Sequence, residues 1–584
     1  MRNARVWVGV LASLVLVGCE QFTAVPAPAA EPTETAAWDK GAMVAAADPR
    51  AVEAGLRVLR EGGHAVDAAI AVHAVLGLVE PQSSGLGGGA FMLVYERESG
   101  EITVYDGRET APGDIDETLF VVGGEVLGFV PAWQSGRATG VPGAVKLYEA
   151  AHFAHGQADW AGLFTEAISL AEEGFIVSPR LAELLASPRL RGATRLDEHP
   201  VSAAYFYPGG EPLPAGARRD NPDYASVLTR IANEGSGAFY LGEVAQAIVE
   251  TVGEAPLAGT LSVQDMASYQ IVERQPLCGA WRTYQICSAP PPSSGGVAQN
   301  MIAGLYDRLL PDTPDGEEAY LKAFVDAQRL AYADRDHYVA DADFVPVPAA
   351  QLIDPDYLDV RAGDVFAPDA VPQPGDPGAV LGQGAMIDLW GRDSTKDMPG
   401  TTHISIVDSD GNAVSMTATV EAPFGTSRMV KGFLLNNELT DFALTPRQSG
   451  QLVANAPAAL KRPRSSMSPT MMLDEAGELV MVTGSPGGNS IIAYVAKTII
   501  GVFDWGKTAQ EAVDLPNVIA RGPKVNVEVD RAGGPEAAEA LRQMGYLVQE
   551  RRGENSGLHV ILVGETGLDG AADPRREGVA KALD

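Results

Sequence analysis

The chain has 584 residues, 46% hydrophobic and 20% charged, a balance that excludes a disordered or fibrous protein and suits a large globular one. Lys and Arg number 43 against 76 Asp and Glu, giving a net charge of −33 and a pI near 4.6. Such a surface repels nucleic acid and anionic membranes, so no nucleic-acid partner is expected.

The N-terminus reads as a targeting segment. Arg2 and Arg5 precede an apolar run over residues 6–17, too short to span a bilayer as a helix. The run ends Leu16-Val17-Gly18-Cys19, which resembles a bacterial lipobox. That resemblance implies a signal peptide over 1–18, cut off before a lipidated Cys19; the other reading is an ordinary signal peptide with an incidental Cys. Residues 19–40, rich in Pro and Ala, read as a tether. The expected product is an exported, periplasmic protein held at a membrane by its lipid, with a folded part from residue 41.

Asp48-Pro49 is a helix cap followed by Pro at the first turn; Val52, Leu56 and Leu59 share one face, and Gly62-Gly63 stops the helix. Residues 65–79 are apolar almost all round, which predicts a buried helix. The glycine cluster at 85–89 leads into a strand-like 90–95, but the order helix, glycines, strand and the absence of Gly-Lys-Ser/Thr argue against nucleotide binding. From 150 to 400 the pattern is mostly helical. Over 320–338 it sets Glu318, Lys322, Asp326 and Arg329 on polar faces. His152 and His155 have no third ligand nearby and read as a solvated helix face. Neither His-Glu-x-x-His nor Gly-x-Ser-x-Gly occurs, and no metal or organic cofactor is implied.

With Cys19 set aside, two cysteines remain. If Arg282-Thr283 is a two-residue turn, Cys278 and Cys287 face each other within disulfide reach. In an oxidising compartment they form a disulfide; otherwise they are two half-buried thiols.

After residue 400 the pattern turns to strands. Thr401-Thr402-His403-Ile404-Ser405-Ile406 passes through a Ser-Asp-Gly-Asn turn into Ala413-Val414-Ser415-Met416, and a second hairpin spans 469–483. Helical patterns at 489–502 and 534–545 flank these strands, which suggests a layered α/β/β/α body. By itself Thr401-Thr402 is ordinary strand chemistry.

The segments Thr401-Thr402-His403-Ile404-Ser405, Leu435-Asn436-Asn437-Glu438-Leu439-Thr440-Asp441-Phe442, Lys461-Arg462-Pro463-Arg464-Ser465-Ser466-Met467-Ser468 and Thr483-Gly484-Ser485-Pro486-Gly487-Gly488 occur in order. Upstream stand Asp106-Gly107-Arg108-Glu109-Thr110-Ala111-Pro112, Gly140-Val141-Pro142-Gly143 and Pro290-Pro291-Pro292-Ser293-Ser294-Gly295-Gly296. Together they make the chain, from about residue 41 onward, resemble the gamma-glutamyltranspeptidase family of N-terminal nucleophile hydrolases.

The resemblance implies a four-layer αββα sandwich of the α/β class. It also implies a precursor that cuts itself between Gly400 and Thr401 into a large subunit, 41–400, and a small one, 401–584, which stay associated. Thr401 would supply the hydroxyl nucleophile and its own freed α-amine as base. Gly400 suits the cut because no Cβ stands between the Thr401 hydroxyl and its carbonyl. Thr419 would hydrogen-bond Thr401, and the Gly487 and Gly488 N–H groups would face the oxyanion. Arg108, Ser465 and Ser466 match the family's carboxylate-binding positions, Glu438 and Asp441 its amine-binding ones, placing donors on one side of a γ-glutamyl group and acids on the other.

Two departures bear on specificity. Glu421 stands where many members have Asn; its carboxylate can still hold an ammonium. The stretch from Phe442 to Lys461 is short and contains no aromatic residue, which suggests an open site. The implied reaction moves the γ-glutamyl group of glutathione or a related compound to water or to an amino-acid or peptide acceptor. The alternatives are a cephalosporin (glutaryl) acylase-type amidase of the same fold and a non-catalytic periplasmic binding lipoprotein.

Overall fold

Alternating apolar residues supply two sheets, and helices with apolar faces cover them. The computed structural model describes residues 38–583 apart from 365, 394, 396–399 and 554–555; the signal peptide, Cys19 and most of the Pro/Ala-rich tether lie outside the described residues. The strands of the two main sheets are β1 (Met43–Ala46), β2 (Gly89–Glu96), β3 (Glu101–Gly107), β4 (Val272–Arg274), β5 (Leu277–Trp281) and β6 (Tyr284–Ser288). They continue as β7 (Gly400–Val407), β8 (Ala413–Glu421), β9 (Thr470–Leu473), β10 (Leu479–Gly484), β11 (His559–Val563), β12 (Leu568–Ala572) and β13 (Val579–Ala582). One sheet has the order β13-β1-β7-β8-β2-β3-β4, the other β12-β11-β10-β9-β6-β5.

The sheets lie face to face, β7 and β8 against β10 and β11. On β7, Ile404 and Ile406 point outward to α1 (Pro49–Arg60) and α2 (Ala65–Val79), while Val407 joins Phe91, Leu93, Met471, Met481 and Ile561 in the other buried cluster. Each such side chain, fully buried, contributes about 1.5–3 kcal/mol. Helices α1, α2 and α3 (Ala144–His155) cover the first sheet; α4 (Gly295–Leu309) and α6 (Ile491–Phe503) cover the second, with α5 (Glu317–Tyr338) packed on α4. The result is a four-layer αββα sandwich.

Local chemistry matches the sequence here. Asp48 caps α1 and every residue of α2 is buried. Both expected hairpins are present as β7–β8 and β9–β10. Trp281 pairs with Tyr284 around a turn in which Arg282 is left-handed, so Cys278 falls opposite Cys287 and the two are disulfide-bonded. Among the described residues no helix is long and apolar enough to cross a membrane.

Polar expectations at four residues are corrected. Asp326 and Arg329 are buried rather than on polar faces: Asp326 accepts from the Tyr546 hydroxyl at 2.6 Å, and Arg329 donates to Pro368 O at 2.9 Å. A long helix packed on several sides has no continuous solvated stripe. His152 and His155 are not simply solvated either. His155 bridges the Tyr105 hydroxyl at 2.8 Å and Glu96 Oε1 at 2.5 Å, and His152 Nε2 meets Ala158 O at 3.0 Å.

Candidate active site

Thr401, the second residue of β7, faces Thr419 of β8, just after a register shift at Gly400. The Thr419 hydroxyl donates to the Gly400 carbonyl at 2.9 Å and accepts from Glu421 N at 2.8 Å. Its oxygen lies 3.3 Å from the Thr401 hydroxyl oxygen. A hydroxyl has one proton to give and two lone pairs. With the proton on Gly400 O and one lone pair on Glu421 N–H, the remaining lone pair accepts from Thr401. Thr401 thus keeps its own lone pairs for attack.

Gly400 is also required by its surroundings. A Cβ there would stand 2.4 Å from Glu421 O and 2.5 Å from the Ala422 carbonyl carbon, so the neighbouring main chain excludes a side chain. Glu421 itself is left-handed, φ 76°, a conformation Asn adopts more readily than Glu. Its carboxylate is held by the Asn437 amide, whose oxygen accepts from Ala422 N at 3.0 Å.

The loop after β10 brings Gly487 and Gly488 to the N-terminal side of α6, through a short helical turn at Gly488–Ser490. N–H groups that open a helix have no intrahelical acceptor and face developing negative charge favourably. Gly487, at φ 139°, also lies where a Cβ would meet the Tyr494 ring at 2.5 Å.

A cavity of about 20 Å³ gathers nine of the ten predicted residues: Arg108, Thr401, Thr419, Glu421, Glu438, Asp441, Ser465, Ser466 and Gly488, joined by Met467 and Ile491. Gly487 is next to it in sequence but does not line it. The donors and acids do not take opposite sides. Arg108 pairs directly with Glu438 and, at 2.6 Å, with Asp441, and also donates to Pro463 O and Arg464 O. A guanidinium this deeply buried needs counter-charges. Burial alone would lower its pKa, but Glu438, Asp441 and Glu109 hold it above the usual arginine range.

The neighbouring Glu109 is fully buried, and neither carboxylate oxygen has a hydrogen-bond partner among the described residues. Burial first, then the Glu438 charge, pushes its pKa well above the usual carboxylate range.

Residues not singled out from the sequence complete the surroundings. Arg335 reaches the Ser466 hydroxyl and, at 3.0 Å, that of Ser294. Asn455 donates to Asp441 O at 2.7 Å and accepts from Arg464 N at 3.0 Å. On the same strand as Thr401, His403 spans the Thr417 and Ser405 hydroxyls at 2.8 and 3.0 Å and stacks on His559; burial keeps both imidazoles neutral. Arg576 donates to the Thr401 carbonyl at 2.8 Å. Asn437 carried a signal in its motif; Arg576 carried none.

A family model described as Gamma-glutamyltranspeptidase matches residues 51–583. The chain is 34% identical over 582 residues to the glutathione hydrolase proenzyme of Escherichia coli K12, covering 97% of each. It is 36% identical over 488 residues to that of Bacillus subtilis 168, covering 82% of this chain and 80% of that one. Among solved structures it is similar to the cephalosporin acylase of Bacillus halodurans, with a TM-score of 0.81 and 25% identity over 96% of this chain and 99% of the other. With its sandwich fold and Thr401 facing Thr419 at the open end of the central hairpin, the chain belongs to the gamma-glutamyltranspeptidase family.

Proposed function

We propose that the protein is a γ-glutamyltransferase and glutathione hydrolase that matures by cutting its own chain before Thr401. The observation that carries the reading is the Thr419 hydroxyl, shared between the Gly400 carbonyl and the Thr401 oxygen. The Thr401 oxygen attacks the Gly400 carbonyl carbon, and charge gathering on the carbonyl oxygen meets the Thr419 donor. The C–N bond breaks, leaving Gly400 as an ester on Thr401 and a free α-amine. Water then hydrolyses the ester, giving a Gly400 carboxylate and a new N-terminus. Relatives described as proenzymes support maturation from a precursor.

In the mature form the α-amine takes the Thr401 hydroxyl proton while the oxygen attacks the γ-amide carbon of the substrate. Gly487 and Gly488 N–H groups face the oxyanion. The leaving amine, cysteinylglycine when glutathione is the substrate, takes the proton. Water or an acceptor amine then attacks the γ-glutamyl ester and frees Thr401. Arg108, Ser465 and Ser466 take the α-carboxylate; Glu438 and Asp441, with Glu421, take the α-ammonium. A cavity of about 20 Å³ holds roughly one water, so the site must widen to take a γ-glutamyl group. Three cavity carboxylates favour an ammonium-bearing acyl group over a glutaryl one.

A denaturing gel of the parent beside Thr401→Ala tests the mechanism. Two bands are expected for the parent, the smaller matching 401–584, and one intact, inactive chain for the variant; a folded parent that stays in one piece overturns it. Faster turnover of a glutaryl anilide than of a γ-glutamyl anilide would overturn the substrate. We also propose export to the periplasm and lipid anchoring at Cys19, supported by residues 1–19 alone. Cys19→Ala should move the protein from the membrane to the soluble fraction, and unchanged partition would refute the anchor.

A further inference from the structure

The edge of β7 that faces β1 is only partly covered. β1 pairs with β7 at Ser405, Ile406 and Val407, so the ladder stops short of the nucleophile end. There the connection between β12 and β13 supplies a side chain instead: Arg576 Nη1 donates to Thr401 O at 2.8 Å. The preceding Arg575 is a structural clamp, paired with Glu528 at 2.6 Å and Asp573 at 3.1 Å. Arg576 turns the other way, toward the residue read as the nucleophile.

Two features make this contact more than a strand cap. Arg576 holds the carbonyl of the residue whose nitrogen becomes the α-amine, so its guanidinium sits within one residue of that nitrogen. Arg576 is also buried, and Glu80, Asp573, Arg180, His559 and Tyr494 surround it. Glu80 is itself taken up by Arg180 at 2.7 Å, and Asp573 by Arg575 and by the Ser556 hydroxyl at 2.6 Å. Burial and then the Arg180 charge lower the Arg576 pKa to about 9, which leaves it cationic at neutral pH.

We propose that Arg576 is a positioning residue for Thr401: it fixes the carbonyl of the nucleophile residue and, once the chain is cut, favours the neutral, proton-accepting form of the new α-amine. The inference rests on the reading of Thr401 as an N-terminal nucleophile. A cation held beside the amine disfavours a second positive charge, whereas a free α-amine would be largely protonated at pH 7 and poor as a base.

The test measures the α-amine of the small chain directly, by its rate of acetylation against pH read by mass spectrometry, alongside the pH profile of kcat for a γ-glutamyl anilide. In the parent the amine midpoint should lie about one unit or more below the free value of about 7.7–8.0. Arg576→Gln, which keeps a donor but loses the charge, should raise both the amine midpoint and the acid limb of kcat by about one unit, with KM changing less than about threefold. Arg576→Lys should restore the parental midpoint. A cut parent with a midpoint at or above about 8, or a cut Arg576→Gln with the parental midpoint, overturns the inference and leaves the nucleophile reading intact. An uncut parent overturns both. If Arg576→Gln does not mature, the parent and Arg576→Lys decide: a Lys variant displaced upward by a full unit counts against the charge.

Discussion

Under the proposed maturation, Thr419 serves the intact chain and the cut one differently. Before the cut its proton is on the Gly400 carbonyl; afterwards that acceptor is gone and the hydroxyl is free to turn toward Thr401. Thr419→Ala should therefore slow self-cleavage by about 10²–10³-fold, and Thr419→Ser should restore most of it, followed as band conversion on a gel. Glu109 tests the other side of the site. Its folded pKa lies above its unfolded one, so its contribution to stability is fully present below the unfolded value and is lost as pH rises toward the folded one. Thermal melts should show parental Tm falling more steeply above pH 5 than that of Glu109→Gln; parallel curves would mean the Glu109 pKa is not raised by folding. Most of these residues were legible as motif positions. The pairing of Arg108 with Glu438 and Asp441 was not, because a motif gives the residue types and not which of them neutralise one another.

At the scale of elements, the hairpin of β7 and β8 and the helix α2 were legible because each declares itself within a few residues, through a polar turn or an unbroken apolar run. β1 and β13, only four residues each, were not, although they form one edge of the site's sheet. Arg576 shares that fate: it lies 175 residues from Thr401, and only the sheet order brings the two together. The errors at Asp326, Arg329, His152 and His155 have the same origin, since polar residues facing other elements look like polar residues facing water. The shift in register at Gly400 gives an element-scale prediction. Gly400→Ala puts a Cβ against the Glu421–Pro423 main chain, which cannot yield without moving β8, so maturation should slow by at least about tenfold and urea should unfold the precursor about 1–3 kcal/mol more easily.

At the scale of the molecule, strands from the two sides of position 400 interleave in the first sheet and join edge to edge in the second. In the first, β13, β7 and β8 from the later part lie among β1, β2, β3 and β4 from the earlier part; in the second, β9 pairs with β6 across the divide. The two products of the proposed cut should therefore co-elute as one species in size-exclusion chromatography and part only on unfolding. Separation of intact, folded halves would contradict the interleaved order.

That interleaving gives the molecule a history. While the chain is whole, every strand pairing closes a loop within one polymer, at an entropic cost that grows only slowly with loop length. Afterwards the same pairings must be rebuilt by two separate molecules meeting in dilute solution, at the added cost of their lost translational freedom. Folding must therefore come first and cutting second. The cut also removes the route back: a mature molecule that unfolds is in practice spent, and its working life is set by how slowly it opens and not by how favourably it once folded.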